Sequence, residues 1–183
     1  MSSFNIKVVK RDGTSEAFDA NKINMELIAA AEGLPDQISK VAQISSEVQL
    51  TLFDGITTEQ LNESIINTAL QNIKDDPDFD VIASRLLLKT IYKSVLGDYK
   101  DSADLKKIHE IKFRDDLSKY LGVVTNKNRY ALRNGKGDAI EVPQYTHMRI
   151  AMGLSYNAKN PTESALDFYN HMSNLDYLPG GST

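Results

Sequence analysis

Apolar and polar positions alternate at the start of the chain. Phe4, Ile6 and Val8 are separated by polar residues, the period-two pattern of a half-buried strand. Asp12-Gly13 is a hairpin turn signal, and Glu16-Ala17-Phe18 supplies a returning strand. The period then lengthens to that of a helix. Asp19 is placed to cap a helix over 20–32, with Ile23, Leu27, Ile28 and Ala31 on one face and Gly33 and Pro35 ending it. A second helix is predicted over 37–52, burying Ile38, Val41, Ile44 or Ser45, and Val48. Asp54-Gly55 is a turn. Thr57 and Gln60 read as a capping box that opens a third helix, to residue 74, with Leu61, Ile65, Ala69 and Ile73 as its stripe. Asp75-Asp76-Pro77-Asp78 breaks the chain and caps a fourth helix over 79–96, where Ile82, Leu86 and Ile91 pack.

After Gly97 the pattern changes. A charged helix is predicted over 104–121, carrying Leu105, Ile108, Phe113, Leu117 and Leu121. Tyr130-Ala131-Leu132-Arg133 and Ala139-Ile140-Glu141-Val142 flank the turn Asn134-Gly135-Lys136-Gly137 and predict a second hairpin. Pro143 starts a helix to about 157 with Met148, Ala151 and Met152 inside, and Thr162 caps a last helix over 163–175. No internal repeat or low-complexity segment occurs.

Charge sharpens this division. Residues 1–97 carry nine Lys/Arg against fourteen Asp/Glu, a net of −5, and residues 98–183 carry twelve against eleven, a net of +1. The shift is small, but it falls at Gly97-Asp98, where a helical pattern ends; the chain could be one domain or two small ones, and the expected division is 1–97 and 98–183. The overall charge of −4 argues against a nucleic-acid-coating surface, so any polyanion must meet a local basic cluster. With 41% hydrophobic and 25% charged residues the chain has an ordinary globular balance. The absence of cysteine excludes disulfides, a zinc ribbon and thiol chemistry within the chain. No apolar run reaches the roughly 18 residues of a membrane span, and Met-Ser-Ser-Phe-Asn-Ile lacks the features of a signal peptide. A soluble cytoplasmic protein with no membrane and no nucleic-acid partner is expected.

Three constellations carry candidate chemistry. Lys10 and Arg11 lie beside the hairpin turn, Lys22 in the first turns of the first helix, Glu16 opposite Lys10, and Asp19 at the cap. A triphosphate needs several cationic donors converging from different elements, because one exposed charge is weak in water. Cross-strand salt pairs on a solvated hairpin explain the same residues, and on charge pattern alone explain them better. Arg85, Lys89 and Lys93 are spaced four apart and form one stripe, which suits an external anion or a plain solvated face. Thr58 and Asn62 share a face at the start of the third helix, where free N–H groups favour anions or simply a capped helix. His109, His147 and His171 are not spaced as metal ligands, and there is no nucleophile elbow or Walker-type loop.

Residues 6–97 resemble an ATP-cone, the nucleotide-sensing module at the N-terminus of many ribonucleotide reductase large subunits. The resemblance is carried by Lys10-Arg11-Asp12-Gly13, Lys22-Ile23, Asp54-Gly55, Thr58 and Arg85, in order and at family spacing. It implies a mainly α fold of the α+β class, with a small hairpin sheet capping a helical bundle, then a helical segment with one hairpin. It implies nucleotide contacts at Val8, Lys10, Arg11, Glu16, Asp19, Lys22, Ile23, Thr58, Asn62 and Lys93. Some family members have asparagine at the position of Asp19 and histidine at that of Asn62, and the second departure weakens any case for a second bound dATP. The C-terminal half resembles the helical region that precedes the reductase barrel, through Tyr130-Ala131-Leu132-Arg133, Glu141-Val142-Pro143-Gln144-Tyr145 and Met148-Arg149-Ile150-Ala151-Met152-Gly153-Leu154. Leu178-Pro179-Gly180-Gly181-Ser182-Thr183 resembles the approach to the first barrel strand.

The family's chemistry uses cysteines that this chain does not have, so no catalytic residue is expected in it. The resemblance implies an allosteric activity module. ATP, activating, or dATP, inhibiting, is the expected effector, with Mg2+. The expected partners are the remaining catalytic part of the large subunit, a radical-generating small subunit, and further copies of the chain through the cone. The chain is read as either a shortened form or the N-terminal half of a split large subunit. Two alternatives stand beside this: a helical interaction module with a degenerate cone, and a nucleotide-sensing regulator of reductase genes. The regulator family carries a four-cysteine zinc ribbon, against which the lack of cysteine argues.

Overall fold

The computed structural model describes residues 6–97, 114 and 117–177. Strand β1, Lys7–Val9, pairs antiparallel with β2, Ser15–Ala17, with Val8 opposite Glu16. The turn between them is held by Asp12, whose carboxylate accepts from the Thr14 N–H and hydroxyl, and by Gly13 at a φ of +82°. Helix α1, Ala20–Ala30, follows at once, capped by the Asp19 carboxylate on the Asn21 N–H at 2.9 Å. Helix α2 spans Gln37–Gln49. A third strand, β3, Ile56–Thr57, pairs parallel with β1, so the sheet order is β2-β1-β3.

This strand is absent from the sequence reading, because two residues are too few for an alternation to register. It forms because the Asp54-Gly55 turn is stitched to β1 from both sides. Lys7 N–H donates to Asp54 Oδ1 at 2.8 Å, and Gly55 N–H donates to the Lys7 carbonyl at 2.9 Å. Thr57 then ends β3 and caps α3, Thr58–Gln71, through the predicted capping box with Gln60. Helix α4 spans Asp78–Leu96. The described residues form two compact units that divide inside α4, between Leu87 and Leu88.

In the first unit the core holds Val8, Ile23, Leu27, Ala31, Val41, Ile44, Val48, Ile56, Leu61, Ile65, Ala69, Phe79, Ile82 and Leu86. Two predicted inward positions are instead at the surface: Ile38 is 87% exposed and Ile28 is 50% exposed. On α2 the buried turn is occupied by Lys40. Its ammonium reaches Asp76 at 2.9 Å, Asp78 at 3.1 Å and the Pro35 carbonyl at 2.6 Å, so a charge goes inside where Ile38 was expected to. A buried lysine persists only when its charge is paired and its donors are satisfied, and three acceptors meet both needs.

In the second unit α5, Tyr120–Thr125, runs into a single π-helical turn, Asn126–Tyr130, and is followed by α6, Pro143–Ser155, and α7, Pro161–Ser173. Most of the helix predicted over 104–121 lies outside the described residues; within it, Leu117 and Ser118 form a turn and α5 begins at Tyr120. His109 and the segment 178–183 also lie outside them. The second hairpin reduces to one bridge, Arg133 to Ala139, because the π-helical turn takes up Tyr130. Helices α6 and α7 bury Ala151, Tyr169 and Met172 between them. Met152, predicted inside, is 61% exposed.

This unit is tied by Glu141. Arg149 donates through Nε to Glu141 Oε1 at 2.9 Å and through Nη2 to Oε2 at 3.1 Å, and Nη2 also reaches the Tyr130 carbonyl at 2.7 Å. The Leu132 N–H and the Thr146 hydroxyl complete the carboxylate's partners. Burial alone raises the Glu141 pKa, but the Arg149 and Leu132 hydrogen bonds outweigh it and hold the group below the usual carboxylate range. Among the described residues, no helix is long and apolar enough to cross a membrane.

Candidate functional site

The hairpin brings its charges to one face. Val8 and Glu16 are register partners, and Lys10 follows Val8 by two positions, so all three side chains leave the sheet on the same side. Val8 is buried at 5% exposure, which places the pair Lys10–Glu16 at the rim of the core. Lys10 is therefore a diagonal neighbour of Glu16 and not its direct opposite. Helix α1 starts three residues after β2, and its first turn delivers Lys22 to the same carboxylate.

Glu16 is the centre of this group. Its Oε2 lies 2.8 Å from Lys10 Nζ and its Oε1 lies 2.9 Å from Lys22 Nζ. The two lysine hydrogen bonds, Lys10 first, hold the Glu16 carboxyl below its ordinary pKa, and the Glu16 hydrogen bond raises that of Lys10. Asp12 is likewise held low, by the hydrogen bonds from Thr14. The parallel pairing of β1 with β3 sets the turn of the hairpin beside the N-terminus of α3. There Arg11 Nε meets Glu59 Oε1 at 3.3 Å.

Of the ten residues expected to contact nucleotide, the structure gathers Lys10, Glu16 and Lys22 directly, and links Arg11 to the first turn of α3, where Thr58 is the first helical residue. Asn62 lies one turn further along α3 and is half-buried. Asp19 is exposed and spends one oxygen on its cap. Ile23, like Val8, is a core side chain, at 6% exposure. Lys93 is exposed in the last turn of α4, beyond Leu87, in the second unit.

The stripe Arg85, Lys89, Lys93 is not a uniform cationic face. Arg85 is half-buried, and its Nη1 donates to the Ala30 carbonyl at 3.0 Å and to the Glu32 carbonyl at 2.7 Å. It closes the C-terminal end of α1, where carbonyls lack helical partners. Glu59 is the member of the group that sequence reasoning missed. It reads as an ordinary acid in the first turn of a helix, and nothing local indicates that an arginine from the hairpin meets it. Among the described residues no cluster of three or more His, Asp or Glu side chains is arranged to hold a metal ion.

Residues 6–94 match the family model described as the ATP cone domain, and residues 116–183 match that of the ribonucleotide reductase all-alpha domain. The fold is accordingly that of an ATP cone followed in sequence by a reductase all-alpha segment. The chain belongs to the ribonucleotide reductase large-subunit family. It is 32% identical to a ribonucleoside-diphosphate reductase subunit alpha of Helicobacter pylori, over 94% of this chain and 25% of the relative. It is 26% identical to the subunit alpha of Chlamydia trachomatis, over 97% of this chain and 20% of the relative. With the ribonucleoside-diphosphate reductase 1 subunit alpha of Escherichia coli it shares 35% identity over 54% of this chain and 13% of the relative. The chain thus spans about a quarter or less of the length of these relatives.

Proposed function

We propose that residues 1–97 are a working effector domain, which binds ATP as activator or dATP as inhibitor and sets the assembly state of a ribonucleoside-diphosphate reductase. The observation that carries this is the convergence of Lys10 and Lys22 on one point, with Arg11 linked to the first turn of α3. Lys10, just past β1, and Lys22 of α1 share one carboxylate, and Arg11 of the hairpin turn pairs with Glu59, all in a segment that matches the ATP cone domain. Such a group suits a triphosphate, whose oxygens accept charge-assisted hydrogen bonds from several directions. Val8 and Ile23 support the site from the core, the carboxylates of Glu16 and Asp19 can accept from the nucleoside, and Thr58 and Asn62 can donate to it or to the phosphates. Magnesium would arrive on the phosphates, with no protein cluster needed to hold it.

No bond is made or broken in this module. An effector changes assembly only through its different affinity for two states, and the same factor returns as a change in effector affinity. The catalytic remainder of the large subunit, a radical-generating small subunit and further copies of the cone are the proposed partners, in cytoplasmic deoxyribonucleotide synthesis.

Calorimetric titration of the chain with ATP and with dATP, in magnesium, tests the reading. Saturable binding of both is expected. The double variant Lys10→Ala, Lys22→Ala should lose it, since two charge-assisted contacts of about 1.5–3 kcal/mol each amount to a 100-fold or greater loss. Unchanged affinity in that variant would sink the site assignment.

A further inference from the structure

One carboxylate in the candidate site does what a phosphate would do. Glu16 uses both oxygens, each on a different lysine, and the lysines come from different elements, β1's end and α1. Arg11, the third cation of the group, is held by a second carboxylate, Glu59. All five side chains keep solvent access, from 33% for Glu16 to 70% for Glu59, so an anion can reach the cations without rearranging the core. A cation already in contact with a carboxylate must leave it, or share it, before it can serve a phosphate oxygen.

We propose that Glu16 and Glu59 are built-in counter-ions of the cone, so that a polyphosphate binds by displacing them from Lys10, Lys22 and Arg11. This rests on the reading of the site as a nucleotide site. It assigns Glu59 a role and gives Glu16 a second one, as competitor before it is contact. The exchange sets a threshold. A ligand with one phosphate offers little more charge than the carboxylate it replaces, whereas a triphosphate reaches all three cations at once. Selectivity for triphosphates over shorter phosphates thus follows from the occupants of the site as well as from its shape. The low pKa of Glu16 accords with this, since the group stays ionised and competitive throughout the neutral range.

The test uses the full chain and inorganic tripolyphosphate, which removes any contribution from the nucleoside, read by competition against a fluorescent ATP analogue. Glu16→Gln keeps the shape and removes the charge; Glu59→Gln does the same at the exposed first turn of α3. Each exposed ion pair should weaken tripolyphosphate binding by roughly two- to fivefold, so each variant should tighten it by that factor. The affinity ratio between tripolyphosphate and inorganic phosphate should shrink in Glu16→Gln. If wild type binds the ATP analogue while Glu16→Gln holds tripolyphosphate no better or more weakly, the carboxylate orients the lysines and the counter-ion proposal is wrong, with the nucleotide site left standing. If wild type binds neither analogue nor tripolyphosphate, both readings fail together.

Discussion

Glu141 shows how one residue can organise a segment that has little regular structure. Four donors converge on its carboxylate, from Arg149 twice, from the Leu132 backbone and from Thr146. Its side chain is 12% exposed, so these partners stand in for lost water. Glu141→Ala is expected to lower the stability of the second unit by about 2–3 kcal/mol, because it strands the half-buried Arg149 and frees two further donors. Glu141→Gln, which keeps one acceptor oxygen, should cost less. Denaturant unfolding followed by circular dichroism gives both values. Lys40 and Arg85 make the same point in the first unit. Arg85, which on spacing alone suits an external anion or a solvated face, is half-buried and spent on the end of α1, and Lys40 is buried and spent on Asp76 and Asp78. Both residues have partners too far along the chain for local spacing to indicate them.

At the scale of elements, the four helices of the first unit were legible because each combines an apolar stripe with a stop signal. The capping box at Thr57 and Gln60 was legible for a similar reason, as it needs only four residues and no tertiary context. Thr57→Ala is expected to destabilise the first unit by about 1 kcal/mol, the usual cost of an N-cap hydroxyl. Because Thr57 also ends β3, protection of β3 amides from hydrogen exchange should fall with it, which a plain helix cap would not cause. Two elements differ from the pattern in extent. The strand β3 was missed because its two residues carry no period, and it exists only because β1 is there to pair with. The second hairpin is present but shorter than predicted, a single antiparallel bridge between Arg133 and Ala139 with backbone hydrogen bonds from Asn134 to Asp138 and from Ile140 to Leu132.

For the whole molecule, the charge pairs predict how stability follows pH. Glu16, Asp12, Asp76 and Glu141 all have pKa values held below the ordinary carboxylate range, the Asp76 shift coming first from the Asp78 N–H and then from Lys40. The unfolded chain binds more protons than the folded one as pH falls through the unfolded carboxylate values of about 4. Their stabilisation is complete above that range and is lost through the lower folded values. Burial lowers the pKa of His147, so a further loss begins as pH drops below about 6.5, where the unfolded histidine takes up its proton first. Lys10 and Lys40, both raised by hydrogen bonds to carboxylates, act at the other limit, and their contribution disappears as pH climbs past about 10.4. Melting temperatures measured from pH 3 to 11 should therefore plateau near neutrality and above, decline in two stages on the acid side, and fall again at the alkaline end. His147→Gln should remove the first acid stage and leave the second.

The residues of this chain determined by themselves the run of helices in the first unit, the opening hairpin, the capped starts of α1 and α3, and the set of cations beside the first turn. These are local properties, encoded by periodicity, caps and turn residues within a few positions of one another. Only the tertiary structure decided which charges meet. Lys10 and Lys22 share Glu16 because β2 leads into α1, and Arg11 finds Glu59 because β3 pairs with β1 and sets α3 beside the hairpin. It also decided that Lys40 is buried and Ile38 exposed, against the order of their hydrophobicity. The reason is physical. Apolar burial has no direction and is written into composition and period, whereas an ion pair is worth something only at contact distance, and contact distance is set by the fold.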